Sequence, residues 1–179
     1  AFGMGVPLQQ MCVWDPNVTW GGSEPSELHA ARMILWKGHC SVHTKFTVEQ
    51  IERLRASHPD IRIISHPECT LEVMQASDEI GSTSHIIRQV TESPAGSIWG
   101  VGTEIHLVNR LAQELAPERT VMTLDALGCL CSTMYRVSPN HLCWVVEGLV
   151  KGEVRNQVSV PDDHKRWTRV ALDRMLSIQ

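Results

Sequence analysis

The chain has 179 residues, 42% of them hydrophobic and 20% charged, with a formal net charge of -4. That length suffices for one substantial core or two small domains, and the charge balance excludes a basic footprint for nucleic acid and a polybasic membrane patch. No apolar run approaches the roughly 18 residues that span a bilayer, no basic region followed by an apolar core opens the sequence, and six cysteines without a C-x-x-C pair read as cytosolic thiols rather than as a disulfide scaffold or a zinc ribbon.

Residues Ala1 to Pro7 show neither a helix cap nor a strand pattern. Met11 to Trp14 reads as a short strand, and Asp15-Pro16-Asn17 and Gly21-Gly22-Ser23 as turns. Ser26 to Arg32 reads as a short helix leading into a strand at Met33 to Trp36. Thr47-Val48-Glu49-Gln50 is a capping-box signature, and Val48, Ile51 and Leu54 then share one helical face. A strand at Ile61 to Ile64 ends at Ser65-His66-Pro67-Glu68-Cys69, and a helix spans about 70 to 76. Gly81-Ser82-Thr83-Ser84 opens the next helix, marked by Ile86, Ile87 and Val90. Ser97 to Val101 is a strand, Ile105 to Leu115 a helix, and Thr120 to Leu124 a strand that runs into Gly128-Cys129-Leu130-Cys131.

Ser138-Pro139 starts a further helix, with an N-cap and a proline at the first position, and Gly152 ends it. Alternating Val154, Val158 and Val160 predict an edge-like strand over 153 to 160, and Asp162 is expected to cap a last helix carrying Trp167, Val170, Met175 and Leu176 on one side. Short strands alternating with helices predict an α/β fold with mainly parallel sheet.

Chemistry-bearing residues recur where strands end. Trp36-Lys37-Gly38-His39-Cys40-Ser41-Val42-His43 sets a cysteine and two histidines where a strand hands over to a helix, the place where open α/β sheets bind ligands. Unpaired N–H groups in a helix's first turn favour a thiolate there, so Cys40 is a candidate metal ligand. A buried thiol at a strand end is the other reading. In His66-Pro67-Glu68 a proline stiffens a turn holding a base and a carboxylate, a pair suited to proton transfer at a carbon or carbonyl. The plainer reading gives Glu68 to a helix N-terminus and His66 to the core.

Ser82 and Thr83 offer hydroxyls and free N–H groups to a carboxylate or phosphate, or make an ordinary N-cap. Thr103-Glu104 has the same form. In Cys129-Leu130-Cys131 at most one thiol need face a shared centre. Two cysteines do not hold an iron–sulfur cluster by themselves, because such clusters usually take four thiolates. The other histidines, from His29 to His164, read as helix surface.

Taken in order, Leu35-Trp36-Lys37-Gly38-His39-Cys40-Ser41-Val42-His43, Phe46-Thr47, His66-Pro67-Glu68-Cys69, Gly81-Ser82-Thr83, Gly102-Thr103-Glu104, Cys131-Ser132-Thr133-Met134 and Leu172-Asp173-Arg174-Met175-Leu176 resemble the quinolinate synthase family over nearly the whole chain. The resemblance implies repeated three-layer α/β/α domains with short parallel sheets around a pseudo-threefold axis, incomplete in this chain. It implies condensation of iminoaspartate with dihydroxyacetone phosphate to quinolinate, in de novo NAD biosynthesis in the cytoplasm. The implied cofactor is a [4Fe-4S] cluster held by one cysteine from each domain, with one iron left open as a Lewis acid.

By the same resemblance, Cys40 and Cys131 match the middle and last cluster cysteines. His66 and Glu68 match the substrate-binding and acid/base pair, Thr83 (with Ser82 beside it) a substrate-binding hydroxyl, and His43 a histidine of the same cavity. Cys69 matches no ligand. A functional link to L-aspartate oxidase or aspartate dehydrogenase follows, and no nucleic acid or membrane partner. The family's first domain has no counterpart here. The expected division is therefore residues 1–42 as the remainder of the middle domain, 43–125 as the third domain, and 126–179 as a cluster-cysteine segment with closing helices. The implied isolated fragment is inactive. Two other readings stand beside it: a non-catalytic α/β binding or assembly module, and a zinc or iron hydrolase using Cys40, His43, His66 and Glu68.

Overall fold

Strand β3 (Arg62–Ser65) carries Ile63 and Ile64 in succession, and successive strand side chains point to opposite faces. In the computed structural model, which describes residues 5–177, both are fully buried, each in a different core. β3 lies inside a four-stranded sheet with β4 (Glu79–Ile80), β5 (Ile98–Gly102) and β6 (Thr120–Thr123), in the order β4-β3-β5-β6. Every pairing in it is parallel.

On the Ile63 side pack Ile51 of α2 (Val48–Ser57) and Val73 of α3 (Leu71–Ala76), together with Phe46 and Leu124. On the Ile64 side pack Trp99 and Val101 of β5, Ile86 and Val90 of α4 (Thr83–Glu92), and Val108 and Leu111 of α5 (Ile105–Leu115). The result is a three-layer α/β/α arrangement, the α/β class that the alternating pattern predicts. Gly100 of β5 faces the first core. A β-carbon there would come within 2.7 Å of Ile63 Cδ1 and 3.2 Å of Leu54 Cδ1, so the missing side chain lets α2 lie close on the sheet.

The helix starts are locally encoded. Thr47 Oγ1 accepts from the Gln50 N–H while Gln50 Oε1 accepts from the Thr47 N–H, a complete capping box. Thr70 and Ser82 cap α3 and α4 in the simpler way. Ahead of this sheet, β1 (Met11–Trp14) and β2 (Met33–Trp36) form a separate parallel pair, joined through α1 (Pro25–Ala30).

The chain divides into two compact units, Ala1–Cys131 and Ser132–Gln179. The second contains α6 (Pro139–Val150) and α7 (Asp162–Leu176). Ser138 Oγ caps α6 by accepting the His141 N–H. Two sequence expectations fail in this unit. Residues 153–160 form no strand: they have no partner strand among the described residues, and Val154 and Val158 are exposed. Asp162 is not the cap of α7 but its first residue, because Pro161 takes the cap position and leaves Asp162 bonded to Lys165 Nζ at 3.0 Å. The reading of Ala1 to Met4 lies outside the described residues.

Replacing Ile63 with alanine opens a cavity at the strand shared by both faces. The unfolding free energy is expected to fall by about 2–5 kcal/mol, against about 1 kcal/mol for the loss of the Thr47 cap in Thr47→Ala. Urea denaturation followed by circular dichroism compares the two, and equal losses would contradict the assignment of β3 as the central strand of the core.

Candidate functional site

The chain steps from β3 outward to β4, then returns past β3 to β5 on its other side. The direction of winding therefore reverses between β3 and β5, and open parallel sheets form their ligand crevice outside the carboxyl ends of strands at such a point. β3 delivers Ser65-His66-Pro67-Glu68 to that edge, and β5 delivers Gly102-Thr103-Glu104. The two ends are tied together. The Gly102 carbonyl accepts the His66 N–H at 3.1 Å and the Cys69 S–H at 3.5 Å. A β-carbon on Gly102 would stand 2.9 Å from Leu124 Cδ1 and 3.2 Å from Ser65 Cβ, so glycine is what lets the ends close up.

His43 enters from the loop ahead of α2, on the 3-10 turn His43–Lys45. Buried Val42 and Phe46 on either side anchor it in the core. Its Nε2 shares a hydrogen bond with Thr103 Oγ1 at 3.2 Å, and its ring stacks on His66 with centroids 4.4 Å apart and planes 12° from parallel. His43 Nδ1 lies 3.0 Å from Glu68 Oε2. That approach lacks hydrogen-bond alignment, which leaves Nδ1 buried without a hydrogen-bond partner. Glu68 Oε2 also lies 3.4 Å from His66 Nδ1, and the Glu68 N–H donates to the same His66 nitrogen at 3.3 Å.

Cys40 Sγ, a ring nitrogen of His43 and a carboxylate oxygen of Glu68 lie within 4.8 Å of one another. Beside them a cavity of about 630 Å³ is lined by Trp36, Gly38, His39, Cys40, Pro67 and Glu68. Burial, and after it the charge of stacked His66, hold His43 below the ordinary histidine value of 6.5, against the opposing pull of Glu68. The arrangement can hold a soft or borderline cation, and it can move a proton among one carboxylate and two imidazoles.

Four of the residues singled out in the sequence therefore meet: Cys40, His43, His66 and Glu68. Ser82 and Thr83 stand at the same sheet edge, because the Gly81 N–H donates to the Ser65 carbonyl at 3.1 Å. Ser82 Oγ accepts the His85 N–H there as the cap of α4. Cys131 packs, like Cys40, against the Ile63-side core, and lies outside the Cys40–His43–Glu68 set. Cys40 is not in the first turn of a regular helix. It precedes the 3-10 turn, and its carbonyl accepts the Thr44 N–H at 3.1 Å and the Thr44 hydroxyl at 3.0 Å.

Cys69 and Cys129 do not resemble ligands. Burial raises each thiol to about 11, and Cys129 gives its S–H to Asp125 Oδ2 at 3.1 Å. Thr103 is a residue for which the sequence offers both an anion-donor role and an ordinary cap. Glu104 is the actual N-cap of α5, accepting the His106 N–H at 2.9 Å, which frees the Thr103 hydroxyl for His43. The signal was the register pairing Ser65 with Gly102, which exists only in three dimensions.

The family model described as "NadA: Quinolinate synthetase A protein" matches residues 5–177. The chain is 53% identical over its full length to a quinolinate synthase of Acidobacterium capsulatum, covering 48% of that protein. It is 51% identical to one of Herpetosiphon aurantiacus and 49% identical to one of Corynebacterium glutamicum, with 98% of this chain aligned in each case and 46% and 44% of the relatives covered. The chain spans about half the length of the curated relatives it matches.

A histidine depressed on folding binds its proton more readily in the unfolded chain. The stability it contributes is complete above the unfolded value of 6.5 and is lost as the pH falls through the lower folded value. The metal-free chain is therefore expected to lose stability as the pH falls below about 6.5, and His43→Gln to flatten part of that slope. Urea midpoints taken across this range check it, and a slope that the substitution leaves unchanged would count against a neutral, buried His43.

Proposed function

The chain belongs to the quinolinate synthetase A family, and from that premise we propose that it is the part of a quinolinate synthase that carries two cluster thiolates and the acid/base residues. The reaction is condensation of iminoaspartate with dihydroxyacetone phosphate to quinolinate, a step of NAD biosynthesis. The observation that carries this reading is the meeting of Cys40, His43, His66 and Glu68 where the sheet reverses its winding. No helix among the described residues is long and apolar enough to cross a membrane.

The donor set fits part of a [4Fe-4S] site. Cys40 and Cys131 are partly exposed thiols resting on one core, while Cys69 and Cys129 keep their protons. Four thiolates are the usual complement, so this chain would supply two; residues 1–42, 43–125 and 126–179 would form the remainder of one domain, a second domain and a cluster-cysteine segment. When bound, a cluster with an iron lacking a protein thiolate supplies a Lewis acid beside Glu68.

The chain's own residues would do the rest. Glu68 reaches into the cavity, and its Oε2 takes up a proton beside two imidazole nitrogens, His43 Nδ1 at 3.0 Å and His66 Nδ1 at 3.4 Å. Burial, and after it stacking at 4.4 Å that disfavours two charged rings, keeps His43 neutral beside the carboxylate. The free N–H groups at the start of α4, with the Ser82 and Thr83 hydroxyls, suit a phosphate or carboxylate. His66 would orient substrate from the β3 end, and Trp36 lines the cavity.

Anaerobic reconstitution with iron and sulfide tests this reading. Cys40→Ser and Cys131→Ser are each expected to lower bound iron and sulfide at least about two-fold relative to the parent chain, as loss of one of few thiolates should. The chain alone is expected to give no sustained turnover. Unchanged iron and sulfide in both variants, or full activity of this chain by itself, would overturn the proposal.

A further inference from the structure

His43 is only 7% exposed, yet its Nδ1 has no hydrogen-bond partner. A buried ring nitrogen left in that state is costly. The other nitrogen is committed to Thr103 Oγ1 at 3.2 Å. When Nε2 carries the proton and donates it to Thr103, Nδ1 presents a lone pair, and the atom in front of it is a carboxylate oxygen 3.0 Å away. Two acceptors at that distance repel unless a positive charge sits between them. A tetrahedral zinc-class ion holds nitrogen and oxygen ligands about 3.3 Å apart, from bond lengths near 2.0–2.1 Å. Cys40 Sγ lies within 4.8 Å of a His43 ring nitrogen and of a Glu68 carboxylate oxygen.

We propose that Cys40 Sγ, His43 Nδ1 and the Glu68 carboxylate form a three-donor site for a single divalent cation of the zinc class, filled when the chain carries no iron–sulfur cluster. One thiolate, one imidazole and one carboxylate make a donor set that borderline cations favour. The two anions match the charge of a dication in a half-buried position, and the Cys40 thiol proton leaves to solvent on binding. The open cavity side leaves the fourth position to water, as in sites with three protein ligands. Thr103 is a positioning residue here: its hydroxyl, able to accept a proton from Nε2, holds the ring in the orientation that presents Nδ1 to the ion. His66 stays outside the set, because its Nδ1 already accepts the Glu68 N–H.

Titrating cobalt(II) into the reduced, metal-free chain tests this without any activity readout. One equivalent is expected to bind with a sulfur-to-cobalt charge-transfer band. Cys40→Ser should abolish the band, and Glu68→Gln, a change at an exposed side chain, should weaken binding without disturbing the fold. Thr103→Val should weaken it by about 10–100-fold, with circular dichroism confirming that each variant is folded. Cys131→Ser should leave the band intact. A folded parent chain with no such band, a band that survives Cys40→Ser, or one lost in Cys131→Ser would overturn the site. Cobalt binding and iron–sulfide loading respond differently to Cys131→Ser, so this inference and the cluster reading can fail separately.

Discussion

The register between β3 and β5 is the constraint on which the rest depends. Ser65 stands opposite Gly102, and the residues that follow each, His66 and Thr103, both reach His43, one by stacking and one by a hydrogen bond. A slip of one residue would turn every side chain of β3 to the other face. Ile63 and Ile64 would exchange cores, and the His66–Glu68 turn would leave the Gly102 carbonyl that holds it. Core packing thus fixes the geometry of the polar site above it. The cost of a wrong register, two large side chains misplaced at once, far exceeds the worth of any single hydrogen bond in the site.

The polar groups on that platform are few and mutually dependent. His43 is kept neutral by burial and by its stacked neighbour, and Glu68 alone pulls the other way. The same oxygen faces both rings. A proton, a cation or a polarised substrate can each relieve the crowding of lone pairs there, and the three exclude one another. Cys40 lies beside this group, so the charge on its sulfur is linked to the occupancy of the same small volume. The proposed cluster and the proposed single-ion site share one donor, the Cys40 sulfur, and so compete for it.

Much of this was legible in the sequence. The capping box at Thr47, the β-branched run before Ser65 and the apolar stripes of α4 and α5 are local signals, and the structure follows them. The strand ends also announced Cys40, His66 and Glu68, because residues of those types rarely gather in connecting loops without purpose. Pairing and termination were less legible. Val154, Val158 and Val160 alternate like an edge strand, but alternation is only half of a strand, and residues 153–160 have no partner strand among the described residues. Asp162 looked like a cap, and the preceding proline displaced it by one position. Thr103 could not be separated from an ordinary cap, because its role rests on a partner sixty residues away.

The two isoleucines of β3 also govern how the crevice can open. The turn holding His66 and Glu68 hangs from a strand clamped in both hydrophobic layers and from a carbonyl at the end of the adjacent strand. That turn has no independent hinge, so loosening it requires the sheet itself to give way. Amide hydrogens at its base should exchange with solvent only through whole-unit opening, whereas the Gly38–Cys40 side of the cavity is a loop that can move without disturbing the four-stranded sheet.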